Sequence, residues 1–193
     1  MTLEDLSLIA QIASVLLIPA SLVFVGMQMR QTHAIERGNA QRDLLNQTRD
    51  WWMRCVSDEA MFDVFSQGLA NYHGLTRYQK ARFSTLGFNL FHIVEGVFFQ
   101  DRVKLVTDSM VQGYYIAFLS IINTPGGRQW WDEASKAGNV EISNYLSARL
   151  AAEAATLPLW TDLNPFFHVP ITANKGGGQV AKPTPPAHAS PPR

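Results

Sequence analysis

Residues 6–29, LSLIAQIASVLLIPASLVFVGMQM, hold 24 positions without a charge. Whether they cross a lipid layer or fill a soluble core decides how the rest of the chain is arranged. As a helix the stretch extends about 36 Å, enough for a hydrocarbon layer of about 30 Å with some tilt. Twelve of its residues are Leu, Ile, Val or Phe. At about 0.3 to 0.6 kcal/mol each, their insertion gains on the order of 4 to 7 kcal/mol before polar costs. Gln11 lies near one end, where its cost is least, and Pro19 falls mid-span, where neighbouring helices and local adjustments tolerate it. The stretch is apolar around its whole circumference apart from scattered Ser and Gln, whereas a soluble helix normally shows a polar stripe. Glu4 and Asp5 precede it and no A-x-A pattern comes after it, which argues against a cleaved signal peptide. The expectation is a single transmembrane helix.

The flanks set its orientation, because Arg and Lys are retained on the cytoplasmic side. Glu4 and Asp5 lie before the span and Arg30, Arg37, Arg42 and Arg49 after it. The expected location is a bacterial inner membrane, with the N-terminus outside and the C-terminal domain cytoplasmic. The arginines nearest the span, Arg30 and Arg37, are candidate contacts for anionic head groups.

Composition bounds the remainder of the chain. It has 193 residues, 47% of them hydrophobic, enough for one core rather than two. Sixteen basic and sixteen acidic residues cancel, so no overall field recruits nucleic acid. The single Cys55 has only Arg54 beside it as an activating group, and its expected role is inert packing.

Beyond residue 29, acids and arginines repeat at seven-residue spacing, and the segment 30–56 reads as a juxtamembrane helix whose later turns pack on the domain. Its three-four seam is Ala34, Gly38, Gln41, Leu45, Thr48, Trp52 and Cys55, too small and polar in its first half for a stable coiled coil. Helix starts then recur: Ser57 and Asp58 before EAMFDVFSQGLAN, a Thr76–Gln79 capping box, Thr107 with Asp108, Thr124 before Pro125, and Asn139. The fold class is all-α, with residues 57–168 forming a bundle of five or six helices and a docking segment, and no alternating strand pattern appears. Trp160 and its apolar neighbours in TLPLWTDLNPFFHVP either dock on the bundle or anchor at the membrane interface. Residues 169–193, rich in Pro and Gly, are expected to be a disordered tail.

The chemistry-bearing candidates are sparse. His92 and Glu95 share a helix face and would serve as metal ligands or a proton relay, although a di-iron bundle needs further inward carboxylates. Thr85, Asn89, His92, Gly96 and Gln100 form one narrow polar stripe, and Glu95 lies off it among phenylalanines, where a buried carboxylate would need a partner such as an arginine. In NTPGGRQWWDE the glycines and Arg128 make a candidate anion contact at a helix start, without the Lys-Ser or Lys-Thr of a phosphate loop. The tryptophans Trp51, Trp52, Trp130, Trp131 and Trp160 are candidates for an exposed interaction surface.

The order VGMQMRQT, MFDVFSQGL, FFQDR and TPGGRQWW resembles a broad group of uncharacterised bacterial proteins. That resemblance implies one N-terminal membrane helix and a short helical cytosolic domain, and it implies no activity or catalytic residues. The functional expectation is a non-enzymatic, membrane-anchored module for protein–protein interaction without a cofactor, whose partners are the bilayer and another protein or a second copy. The alternative is a metal- or small-ligand-binding bundle using His92 and Glu95.

Overall fold

The computed structural model describes the backbone of residues 3–167; side chains within 3–18 are described for Glu4, Val15 and Leu17 alone. The expected disordered tail lies outside the described residues. Seven α-helices and one 3-10 turn make up the described chain, and it contains no strand. The helices are α1 Leu3–Val56, α2 Glu59–Asn71, α3 Arg77–Arg102, α4 Asp108–Ile122, α5 Pro125–Ala134, α6 Val140–Glu153 and α7 Trp160–Leu163, followed by the turn Pro165–Phe167.

Helix α1 is one element of 54 residues, about 81 Å long. It passes without a break through Met29 and Arg30, so the expected span and the juxtamembrane helix are a single rod. Among its described side chains, those of residues 19–39 are all exposed, Ala40 and Gln41 are half-buried, and Leu44 is the first buried one. From there Leu44, Thr48, Trp51 and Cys55 face the domain. This corrects the expected seam by a fraction of a turn, since Leu45 points outward at 59% exposure while Leu44 is 1% exposed. The rotation follows from the partner: α3 lies against the Trp51 side of α1, and the Trp51 indole N–H donates to the Leu86 carbonyl at 2.9 Å.

The helix starts match the side chains expected to cap them. Asp58 accepts from Ala60 N–H, Thr76 and Gln79 close a reciprocal capping box, and Thr107, Thr124 and Asn139 cap α4, α5 and α6. Each cap satisfies an otherwise orphaned N–H, an effect of about 1 kcal/mol. Helix α3 ends differently from the others. Leu105 N–H bonds to Gln100 C=O at 3.0 Å and Lys104 N–H to Asp101 C=O at 2.9 Å, the paired pattern of a Schellman stop. Its left-handed position is held by Lys104, with φ of 58°, where glycine is the usual occupant.

The core is mainly aromatic. Phe65, Phe83, Phe91, Phe118 and Trp130 are all at most 2% exposed, and Phe83 joins Phe65 and Trp130 at centroid separations of 5.6 and 6.1 Å. Two helices meet through glycine: a Cβ on Gly126 would stand 1.8 Å from the Gly68 carbonyl oxygen and 2.8 Å from Tyr72 N. Gly126 therefore permits α5 to cross α2 at backbone contact, while a Cβ on Gly127 would stand 2.2 Å from the Ile121 carbonyl oxygen at the end of α4. Similarly, a Cβ on Gly87 would meet the Trp130 ring at 2.5 Å.

The end of the described chain docks on the bundle. Trp160 and Phe167 are buried, with Trp52 stacked on Trp160 at 5.4 Å and Phe62 on Phe167 at 4.9 Å. Of the two readings of this segment, docking on the domain is the one the described residues adopt.

Candidate functional site

The candidate site residues fall in three regions: the groove between α1 and α3, the α4–α5 junction, and the part of α1 that precedes the domain.

Along the α1–α3 groove, α3 contributes Tyr78, Arg82, Thr85, Asn89 and His92, and α1 contributes Gln47, Asp50 and Arg54. Of the polar stripe of α3, Thr85, Asn89 and His92 line this groove and Gly96 and Gln100 do not, while Phe83, Leu90 and Val94 on the other side of the helix fill the core. Arg82 donates to Asp58 at 2.6 Å and so ties α3 to the start of α2. His92 Nδ1 lies 3.1 Å from Glu95 Oε2. The His92 side chain is 64% exposed and that of Glu95 21%. The partner of Glu95 is therefore His92 of the same helix rather than an arginine, because the carboxylate reaches the surface beside the phenylalanines. Among the described residues, no group of three or more His, Cys, Asp or Glu side chains is placed to hold a metal ion.

At the α4–α5 junction Arg128 is exposed, and part of its guanidinium is engaged within the protein. Its guanidinium turns back on Asn123, donating to the backbone carbonyl at 3.3 Å and to the side-chain oxygen. Asn123 is buried and in turn donates to the carbonyls of Ala154 and Leu157 at 3.1 and 3.3 Å. Arg128 thus fastens the end of α4, through Asn123, to the end of α6. The sequence signal for this junction was present in the Asn-Thr-Pro order. Only the return of α6 to the same place gives Asn123 its two distant acceptors.

The tryptophans expected at an exposed surface are corrected to core residues. Trp51, Trp130, Trp131 and Trp160 are each at most 7% exposed, and Trp52 is half-buried under Trp160 and Phe167. Adjacent helical tryptophans point in different directions, yet each helix here is packed on more than one side, so both members of each pair find cover. Trp131 satisfies its N–H on Ser147 Oγ at 3.0 Å. Cys55 is fully buried, and burial pushes its thiol up from 9.0 to about 12, which leaves it protonated and unreactive near neutral pH.

The third region is the projecting part of α1. Val15, Leu17, Leu22, Val23, Phe24, Val25, Met27 and Met29 are all exposed. At its inner end, Arg30, His33, Ala34 and Arg37 occupy one face, and Val103 at the end of α3 closes a cleft against them. His33 pairs with Glu36 at 3.3 Å, whereas Arg30 and Arg37 have no ion-pair partner among the described residues.

Among the described residues no helix is long and apolar enough to cross a membrane. The side chains of residues 5–14, 16 and 18, which make up much of the uncharged stretch, lie outside that description. Comparison with known proteins adds no relative: no family model, no curated protein and no solved structure matches the chain.

Proposed function

We propose that the protein is a membrane-tethered helical module, in which residues 6–29 cross a bilayer once and the helical domain stands against its cytoplasmic face for contact with a protein partner or a second copy. The supporting observation is the environment of α1. Its described large apolar side chains here, Val15, Leu17, Leu22, Val23, Phe24, Val25, Met27 and Met29, are all exposed, and an exposed apolar surface that surrounds a helix is stable only when something apolar covers it. A bilayer covers all sides at once, which a groove on a partner does not. The acidic residues before the stretch and the arginines after it support a cytoplasmic domain and an N-terminus outside.

The surface offered to a partner is the polar α1–α3 groove, since the tryptophans are occupied in the core. The tether is tested by fractionation: full-length protein should stay with membranes after alkaline carbonate extraction, and a chain lacking residues 1–29 should be released. Identical behaviour of the two overturns the tether. A photo-crosslinker placed at Asn89 in intact membranes should give a discrete adduct that the same probe at Gln112, on α4, does not. A uniform pattern from both sites removes the groove as the contact.

A further inference from the structure

We propose that the cleft formed by Arg30, His33, Ala34 and Arg37 with Val103 is a binding site for the head-group phosphate of an anionic lipid, fixing the height and rotation of the domain on the bilayer. The inference rests on the tether reading and adds a ligand to it.

Four observations carry it. Arg30 and Arg37 are seven residues apart, so they stand on the same face of α1 about 10.5 Å from one another, and both guanidinium groups are free of carboxylate partners among the described residues. Ala34 lies between them on that face, where its small side chain leaves room for an anion approached from both sides; the long arginine stems can converge on it. Val103 supplies the outer wall and is 66% exposed, an apolar side chain at the depth where a bilayer surface changes from acyl chain to head group. Finally, the site begins at the first charged residue after the uncharged stretch, so a helix inserted to Met29 brings the cleft to the phosphate layer with no adjustable segment between.

The fold supplies the alignment. Helix α3 runs back along α1 from the Trp51–Leu86 bond to Val103, and its Schellman stop turns the chain away at that level. Lys104, at the left-handed position of the stop, is tied to Asp101 at 3.0 Å, which neutralises the acid nearest the cleft on this helix. Glu36 is likewise engaged by His33. Arg30 and Arg37 supply the positive charge of the cleft, with the Glu36 carboxylate turned to His33 at 3.3 Å.

The test uses full-length protein in nanodiscs, labelled at Val103→Cys, with Tyr78→Cys at the other end of α3 as the distal control; the buried native thiol does not take the label. Leu22→Cys with an acyl-chain quencher reports insertion separately. In discs of mixed phosphatidylglycerol and phosphatidylcholine, a head-group quencher carried on phosphatidylglycerol should reduce the Val103 signal about twofold more than the same quencher carried on phosphatidylcholine, with no such difference at Tyr78. The double variant Arg30→Gln/Arg37→Gln should remove that difference while Leu22 stays quenched. Equal quenching of Val103 by the two labelled lipids, or an unchanged double variant, overturns the lipid site and leaves the tether standing. Loss of lipid contact on adding inorganic phosphate at millimolar concentration would reassign the cleft to a free anion. An unquenched Leu22 would sink the tether and this site together.

Discussion

The Trp51 indole N–H donates to the carbonyl oxygen of Leu86 at 2.9 Å, a side-chain bond that joins the middle of α3 to the last turns of α1. Trp51 also packs edge-on against Phe65 at 5.6 Å, so one residue connects the projecting helix to both of its neighbours. Replacing Trp51 by Phe should keep most of the packing and cost about 1 kcal/mol for the lost hydrogen bond. Trp51→Ala should cost about 3 to 5 kcal/mol through the cavity it leaves. Denaturant midpoints of the full-length protein in mild detergent read both, and equal costs for the two variants would discount the ring's packing.

Glycines at superficially similar places in helices should respond in opposite directions. Gly126→Ala puts a methyl group on the Gly68 carbonyl, where only backbone can yield, and should destabilise by about 3 kcal/mol or more. Gly96 and Gly113 have nothing within 4 Å of an added Cβ, and alanine at either should stabilise by about 0.5 to 1 kcal/mol. The same denaturation series separates them.

Cys55 should resist alkylation by iodoacetamide at pH 8 in the folded protein and react promptly once the protein is unfolded. Its raised pKa also has a sign for stability. Between 9.0 and about 12 the unfolded thiol has lost a proton that the folded one keeps, so folding weakens as pH rises through that window. Tyr115, pushed up from 10.0 to about 12 mainly by burial, adds a loss of the same sign from pH 10 upward. A Cys55→Ala variant should show a flatter stability profile between pH 9 and 10, measured by the same denaturant midpoints.

Phe167 is fully buried against Phe62, Phe65 and Trp52. Phe167→Ala should cost about 3 to 5 kcal/mol and expose Trp52, shifting tryptophan emission to the red before global unfolding. Phe166, 62% exposed beside it, should tolerate alanine within about 0.5 kcal/mol. A similar response at both positions would count against the docked arrangement.

Local chemistry made the helices legible. The capping side chains Asp58, Thr76, Thr107, Thr124 and Asn139 act on N–H groups two or three residues away, so their effect is contained in adjacent sequence, and every one of those starts is where the structure has it. The inert character of Cys55 was likewise legible from the lack of a nearby base. Less of the candidate site was readable. The bonds of Arg128 to Asn123 were not readable, because they require the chain to turn back across Pro125. The tryptophan pairs looked half-exposed because a single helix has an outside, whereas a bundle covers several faces of each member.

By itself the amino-acid sequence determined an all-α chain, the positions at which its helices begin, and a long uncharged stretch bounded by acids and then arginines, because propensity, capping and charge order act over a few residues. Tertiary structure alone decided that Leu44 rather than Leu45 faces inward, that Gly126 rests on Gly68, and that Val103 comes to stand beside Arg30 and Arg37. Those contacts join residues far apart in the chain, and their geometry depends on how the rigid helices settle against one another to fill a common core.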